Sequence, residues 1–315
     1  MAFKASKIRA IRPVANGEGK PIAPNAGVTK WYIDQLNPYV MAMVKDYKER
    51  LLNELHAPDT VEFYAMDSSV AGAFASIFNA LERKWNKVFD ALSKDIGGKF
   101  VDKVKTAADA TVDFSLSTAG IKEPRSTYTD HIRNTVDGYT HYNETLISEI
   151  NQKAHSQIYG AVMASLTSTN PEEQGQAGII AALKKVGIET KERVTLIARD
   201  QTSKLYGALA VDRMRENNVE YFRWMHVMES NAKNKGKIAW RVSHEALDGE
   251  VFRIDDPQLW QVGKYFAKRG DIGIPGHAIN CHCRMIPIVI PTAADIESIA
   301  KRYGKKAAED FAEAA

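Results

Sequence analysis

The spacing of apolar residues changes abruptly near residue 218 of this 315-residue chain. Between Val40 and Ala208 apolar residues recur every three or four positions, which places them on one face of successive helices. After the polar sequence ENN (216–218) the chain becomes rich in aromatic and branched residues, which favour strands. These patterns predict an α+β protein in which a long helical N-terminal region precedes a small antiparallel β module.

Glycine and proline indicate where the helical region breaks into separate helices. Two adjacent glycines are expected to stop one helix, and a proline opposes the continuation of another. The sequence TNPEE (169–173) predicts a restart, with Asn170 as the capping residue. The expected breaks are Gly97 and Gly98, the segment around Pro124, TNPEE and Gly187. After Gly187, Thr190 can cap the last helix. The longest helix is expected over 127–167.

Four segments follow from these patterns. Residues 1–29 contain five basic side chains, one acidic side chain and three prolines, which predicts an extended basic arm. Residues 30–218 form the helical domain, 219–292 the β-rich module and 293–315 a C-terminal helical tail. The arm is interpreted first as a solvated tail, and the alternative is an arm that reaches nucleic acid or an acidic partner.

Composition excludes several classes of protein. Apolar residues make up 44% and charged residues 26% of the chain, as in folded rather than disordered proteins. The formal net charge of +3 excludes a fold that binds polyanions over its whole surface, and two cysteines argue against a secreted disulfide scaffold. The first residues do not resemble a signal peptide, and no apolar run approaches the ~20 residues that span a bilayer. We therefore expect a soluble protein made in a reducing compartment.

Four strands are expected in the β module. The sequences VEYFRWMHVME and KIAWRVS predict the first two, an Asp-Gly turn at Asp248 and Gly249 precedes the third, and RMIPIVI predicts the fourth. Because Pro287 lacks a backbone donor, the fourth strand is expected at an edge of the sheet or with a bulge. The aromatic side chains expected in the core of the module are Trp224, Trp240 and Trp260.

A loop of nearly thirty residues before the fourth strand ends at the two cysteines of the chain. A loop of this length in a compact module needs a cross-link or a function to hold it. In an extended segment Cys281 and Cys283 point to the same side, which suits two thiolates on one metal ion better than a disulfide. His244 and His277 are the natural remaining ligands of a four-coordinate structural zinc site. The alternative is a pair of buried, inert cysteines.

Catalytic interpretations of this loop are less well supported. Cys281 with His277 would pair a thiol nucleophile with a base, but residues this close in sequence rarely form such a pair. The set His277, Asn280 and His282 resembles the cluster of a metal-dependent nuclease, which normally uses a strand-turn-helix frame. The sequence RMIPIVI does not predict the helix of that frame.

Two further alternatives depend on charged residues. A nuclease with two metal ions needs paired carboxylates, whereas the adjacent Asp255 and Asp256 suit a turn better. A DNA-binding module needs a concentrated basic face, and the local basic clusters are KNKGK (233–237) and KRYGKK (301–306). Both clusters are interpreted as solvated turns.

Five separated motifs over about 140–290 resemble the phage Mu F-like minor head proteins, also called phage head morphogenesis proteins. They are a helix with Arg-Asp-Gln, a strand with Trp, Arg-x-x-His before Leu-Asp-Gly, Pro-Gly-His, and Asn-Cys-x-Cys-Arg. The residues that carry the resemblance, besides His244, His277, Cys281 and Cys283, are Arg199, Asp200, Gln201, Trp224, Arg241, Asp248, Gly249, Pro275, Gly276, Asn280 and Arg284.

The resemblance bears on the zinc site and on the role of Arg199. Many relatives have Cys-x-x-Cys where this chain has Arg241 to His244, so the family pattern offers four cysteines. His244 is competent to bind zinc and Arg241 is not, which leaves His277 as the expected fourth ligand. Arg199 is interpreted as anchoring its helix to the β module through Asp248 or a loop carbonyl.

The function implied by the resemblance is that of a structural virion protein. Such a minor head protein binds the portal protein, with the major capsid or scaffold protein as further partners. It assists head assembly, genome packaging or DNA ejection, and it contacts phage DNA non-specifically at most. It is expected in the virion head and, during assembly, in the host cytoplasm, without enzymatic activity or membrane association.

Overall fold

The computed structural model describes residues 17–55, 69–167, 170, 175–227, 244–259, 273–278 and 281–314. Long helices come first, then a small antiparallel sheet and two short helices, which confirms the expected α+β class. None of the described helices is both long and apolar enough to cross a membrane. The elements are α1 (Ala26–Leu55), α2 (Ser69–Ala119), α3 (Asp130–Thr167), α4 (Gly175–Glu216), β1 (Tyr221–Met225), β2 (Val251–Arg253), a 3-10 helix (Pro257–Leu259), β3 (Arg284–Ile288), α5 (Ala293–Tyr303) and α6 (Lys305–Ala314).

Two of the predicted helix breaks are wrong. Helix α2 continues through Gly97 and Gly98, and α4 continues through Gly187. Gly97 and Gly187 are tolerated because neighbouring helices lie close to them, whereas a Cβ on Gly98 would meet nothing within 4 Å. A Cβ on Gly97 would meet the Glu144 side chain of α3 at 3.0 Å, and Gly187 lies against Val44 of α1. Packing of this kind outweighs the roughly 1 kcal/mol that a glycine costs inside a helix.

Thr190 lies inside α4 instead of capping a new helix. It is buried, and its hydroxyl donates a hydrogen bond of 2.7 Å to the carbonyl of Val186, one turn earlier. Of the predicted restart at TNPEE, Asn170 is exposed, while 171–174 lie outside the described residues. The second predicted strand, KIAWRVS (237–243), also lies outside them. The helix predicted over 127–167 corresponds to α3, but it is not the longest helix as expected, because α2 and α4 are both longer.

The chain forms two compact units, each assembled from separated stretches. The helical unit comprises 25–105 and 133–205. The mixed unit comprises residues up to 24, 106–132 and 206–315. Helices α2, α3 and α4 each contribute residues to both units, which explains why consecutive segments of the sequence do not coincide with compact units.

The core of the helical unit contains aromatic residues from several helices. Tyr32 of α1 packs against Phe100 of α2 with ring centroids 4.5 Å apart, and both side chains are fully buried. The buried hydroxyl of Tyr47 lies 2.6 Å from Nδ1 of His155 in α3, whose ring also meets Phe78 edge-on. The residues on the buried side of α1 are Tyr32, Leu36, Val40, Met43, Tyr47, Leu51 and Leu55.

The sheet of the mixed unit has the order β2-β1-β3, with both pairs antiparallel. Strand β3 therefore lies at an edge, as Pro287 predicts. The outer side of β3 is joined by the N-terminal segment 17–22, which we call the edge segment: the amides of Gly19 and Ile22 each donate to β3 carbonyls at 2.9 Å. The described part of the predicted arm is thus extended up to residue 25 but paired with β3, and its last residues already belong to α1.

The predicted C-terminal tail packs on this sheet. Ile299 of α5 and Ala308 of α6 form a buried cluster with Tyr221, Val251 and Ile288. Helix α5 begins with a capping box, in which the Thr292 hydroxyl accepts from the amide of Asp295 and the Asp295 carboxylate accepts from Thr292. Helices α5 and α6 therefore complete the core of the β module.

Candidate metal centre

The turn at 244–249 is held against the end of β1 by three hydrogen bonds. The amide of Gly249 donates to the carbonyl of Trp224 at 2.9 Å, and the amide of Trp224 donates to the carbonyl of Glu250 at 2.8 Å. The Asp248 carboxylate accepts from the amide of His226 at 2.7 Å. Gly249 has a φ of 81°, which its lack of a side chain permits. This turn places His244 beside β1.

The two cysteines lie directly before β3 and face His244. Nδ1 of His244 is 3.5 Å from Sγ of Cys281 and 3.8 Å from Sγ of Cys283. The three donor atoms lie within 4.8 Å of one another, and all three side chains are at most 4% exposed. The amide of Cys281 donates to the carbonyl of Ala278, so a turn of the loop fixes the approach to the cluster. We call His244, Cys281 and Cys283 the Cys-His cluster.

The Cys-His cluster has the dimensions of a tetrahedral zinc site with three of its four ligands. Zinc binds sulfur at about 2.3 Å and imidazole nitrogen at about 2.0–2.1 Å, so a tetrahedral ion holds the two donors about 3.5–3.6 Å apart. The observed sulfur-to-nitrogen distances of 3.5 and 3.8 Å match this separation. Two sulfurs with imidazole nitrogen are also the donor set that zinc prefers. The residues therefore fit a zinc ion, which would supply a cross-link between the loop and the turn at 244–249.

The two thiols influence each other electrostatically. A hydrogen bond from the Cys283 thiol, together with the nearby His244, lowers the pKa of Cys281 well below its ordinary value, although burial acts in the opposite direction. The pKa of Cys283 is raised, first by this hydrogen bond to Cys281 and then by burial. A bound zinc ion would replace the protons of both thiols, because it binds cysteine as thiolate.

Aromatic and basic side chains surround the Cys-His cluster. The ring of Trp224, which is fully buried, meets the ring of His244 edge-on with centroids 5.0 Å apart. The guanidinium of Arg284 donates to the carbonyl of Cys283 at 3.4 Å. These contacts restrict the orientation of the imidazole and place a positive charge beside the sulfurs.

His277, the fourth ligand expected from the sequence, is not a member of the group of metal-competent side chains found among the described residues, and neither is His226. It lies at the tight turn of Pro275 and Gly276, where its amide donates to the carbonyl of Ile274. A Cβ built on Gly207 of α4 would lie 3.8 Å from Cδ2 of the His277 ring and 2.7 Å from the carbonyl oxygen of Pro275. The turn therefore packs against α4, and this packing holds His277 at the helix.

His226 and Gly207 are the residues of this region that the sequence did not single out. Nδ1 of the half-buried His226 lies 3.5 Å from Sγ of Cys283. The available signal for His226 was a histidine within the first predicted aromatic strand. The signal for Gly207 was a glycine inside a strongly periodic helix, where a close approach of another backbone is a common cause.

The remaining motif residues lie apart from the Cys-His cluster or outside the described residues. On α4 Arg199 is exposed, whereas Asp200 is buried, forms an ion pair with Lys204 at 2.7 Å and accepts a hydrogen bond from Gln201. The carboxylate of Asp248 binds the amide of His226. The anchoring role of Arg199 stays a prediction. Trp240, Arg241, Trp260 and Asn280 lie outside the described residues.

The carboxylates considered for a nuclease have structural partners. Asp255 forms an ion pair with Arg253 at 2.6 Å. Asp256 is buried and accepts hydrogen bonds from the Tyr303 hydroxyl at 2.7 Å and from the amide of Gln258 at 2.9 Å. In the basic cluster at 301–306, Arg302 stacks on Phe252 and pairs with Glu250. These groups therefore stabilise the module around β2.

Comparison with known proteins identifies the family to which this region is similar. Residues 157–286 match the family model described as Phage Mu protein F like protein, which confirms the resemblance seen in the motifs. The match extends from α3 through α4, β1, β2 and the Cys-His cluster into β3. A Haemophilus influenzae protein described as uncharacterized is 26% identical over 276 residues, which cover 86% of this chain and 55% of the relative. The chain thus spans about half the length of this curated relative. No solved structure matches the chain.

Proposed function

We propose that this chain is a structural minor head protein of a tailed bacteriophage, which associates with the portal protein and assists head assembly, genome packaging or DNA ejection. The observation that carries the proposal is the match of residues 157–286 to the Phage Mu protein F-like family. This match includes all the motifs from Arg199 to Arg284. The proposed location is the phage head, reached from the host cytoplasm during assembly.

The burial of the Cys-His cluster supports a structural role in place of catalysis. A catalytic zinc site keeps one coordination position open to water or substrate, whereas a structural site is closed by four protein ligands. His244, Cys281 and Cys283 are 1%, 2% and 4% exposed, which leaves little access for a substrate. We therefore propose that the cluster pins the long loop and that the chain acts without turnover.

The basic arm is proposed to contact the portal through a shorter segment than 1–29. The edge segment is already paired with β3, and Glu18 within it forms an ion pair with Arg223 at 2.7 Å. Residues 1–16 contain four basic and no acidic side chains, so they carry the positive charge that suits an acidic surface. The major capsid or scaffold protein and phage DNA are secondary contacts in this proposal.

The proposal is tested by co-expressing the portal protein of the same phage with the tagged chain and measuring co-purification. A variant lacking residues 1–16 keeps the edge segment and tests the arm without exposing β3. A matched control, Lys305→Gln with Lys306→Gln, removes two exposed basic charges at the start of α6. We expect the full chain and the control to bring down portal equally, and the shortened chain to bring down several-fold less.

Two results would overturn parts of this proposal separately. If the full chain brings down no portal and is missing from purified virions, the minor head protein assignment is wrong. If the chain lacking residues 1–16 brings down as much portal as the full chain, the assignment stands and the arm is not the contact. Retention of the full chain on DNA that disappears at high salt would instead support direct DNA contact.

A further inference from the structure

We infer that His226 is the fourth ligand of a structural zinc ion held by His244, Cys281 and Cys283. The inference concerns a ligand of the module and is independent of the proposed role in the phage head. A structural zinc ion takes four protein ligands, and the Cys-His cluster supplies three. The question is which further side chain of the described residues can reach the same ion.

Distance favours His226. Its Nδ1 lies 3.5 Å from Sγ of Cys283, which is the separation that a tetrahedral zinc ion imposes on a sulfur and an imidazole nitrogen. It lies on the side of Cys283 and is not within 4.8 Å of all three other donor atoms, so its side chain has to turn toward the ion, while His244 contacts both sulfurs. The four donors then form a set of two sulfurs and two nitrogens, as in closed structural sites.

The backbone of His226 is held in a position suited to this role. It follows directly after β1, and its amide donates to the carboxylate of Asp248 at 2.7 Å. Asp248 belongs to the turn that carries His244, so one hydrogen bond fixes the backbones of both histidines relative to each other. The His226 side chain is half-buried.

The turn before His277 packs against α4. The carbonyl of the preceding turn approaches α4 so closely at Gly207 that no side chain fits between them, and the His277 ring lies at the same helix. The backbone before His277 is thus fixed at α4, whereas Nδ1 of His226 already lies 3.5 Å from Sγ of Cys283. The ion would therefore join the end of β1, the turn at 244–249 and the start of β3.

The inference is tested on the full chain, purified without chelator, by measuring zinc content and by zinc X-ray absorption. We expect about one zinc per chain, with two sulfur and two imidazole ligands in the absorption spectrum. His226→Ala should then weaken zinc binding by at least about 100-fold in a competition with a chromophoric chelator, because loss of an outer partner alone costs 10–100-fold. His277→Ala is the matched control and should bind zinc as the unmodified chain does.

His226→Cys separates loss of a ligand from loss of folding. A thiolate at this position can also coordinate zinc, so this variant should recover most of the affinity and show three sulfur ligands. The inference is wrong if native protein holds no zinc and takes up none, or if the spectrum contains one imidazole with an oxygen ligand. It is also wrong if His277→Ala loses zinc while His226→Ala retains it, or if His226→Cys binds no better than His226→Ala.

Discussion

Replacement of Gly207 by alanine should destabilise the turn that carries Pro275. The added Cβ would lie 2.7 Å from the carbonyl oxygen of Pro275 and 3.5 Å from Cδ1 of Ile274. Because carbon-oxygen contacts between backbones lie at about 3.3 Å or more, the turn has to move by about 0.6 Å. Forcing extra volume into a packed contact of this kind costs about 1–3 kcal/mol.

Alanine also has a higher helix propensity than glycine, by up to about 1 kcal/mol, which offsets part of the clash. Gly160→Ala in α3 is the matched control, because a Cβ there meets nothing within 4 Å and Gly160 is exposed. Both variants gain the same propensity. The difference in stability between them therefore isolates the clash, and we expect it to be about 1–3 kcal/mol.

Amide hydrogen exchange of the loop measures this difference where it arises. The amides of His277 and Cys281 donate to carbonyls within the loop and should be protected in the unmodified chain. In Gly207→Ala their exchange should be about 5- to 150-fold faster than in Gly160→Ala, which corresponds to 1–3 kcal/mol. Equal exchange rates in the two variants would show that the Pro275 turn does not lie on α4.

Three further substitutions should change the stability of the folded protein by amounts that depend on local contacts. Arg213→Met removes a guanidinium that is 1% exposed and binds Asp109 at 2.8 Å and Glu216 at 2.7 Å. The free energy of unfolding in urea should therefore fall by about 3–5 kcal/mol. Arg215→Met, at a half-exposed neighbour, should change it by less than about 1 kcal/mol. Burial lowers the pKa of His155 despite the nearby Glu82, so the folded state takes up its proton less readily than the unfolded state does. Stability should therefore fall as the pH is lowered from about 6.5 through the folded pKa, and His155→Gln, compared with the exposed His141→Gln, should flatten this dependence. Thr292→Ala breaks the capping box of α5 and should cost about 1 kcal/mol in thermal or urea unfolding, whereas an unchanged midpoint would contradict the capping role.

The sequence predicts the helices well because their periodicity is local, but it predicts their ends poorly. Gly97, Gly98 and Gly187 have the local signature of a helix end. The true role of Gly97 and Gly187 depends on α3 and α1, whose side chains approach them from distant parts of the sequence. Similarly, nothing in the residues before Ala26 indicates that the edge segment pairs with β3, because strand pairing depends on a partner elsewhere in the chain.

In the candidate site, too, the sequence predicts the features that are local and misses those that depend on tertiary contacts. Alternation along an extended segment is a local property, and it places Cys281 and Cys283 on one side, where both sulfurs meet His244. The position of His226 depends on hydrogen bonds between β1 and the turn at 244–249, and that of His277 on the contact with Gly207. Periodicity and spacing cannot rank two histidines whose difference arises from tertiary contacts.

The pairing of the edge segment with β3 has a consequence for the order in which the chain folds. Glu18 and Ile288, which form a bridge, are about 270 residues apart in the sequence. At synthesis rates of ~5–20 residues per second, the edge segment leaves the ribosome about 15 to 50 seconds before its partner strand is made. The residues of the helical unit are all synthesised by Leu205, so this unit can fold during the delay. The mixed unit is completed last, when β3 has been synthesised and pairs with the edge segment.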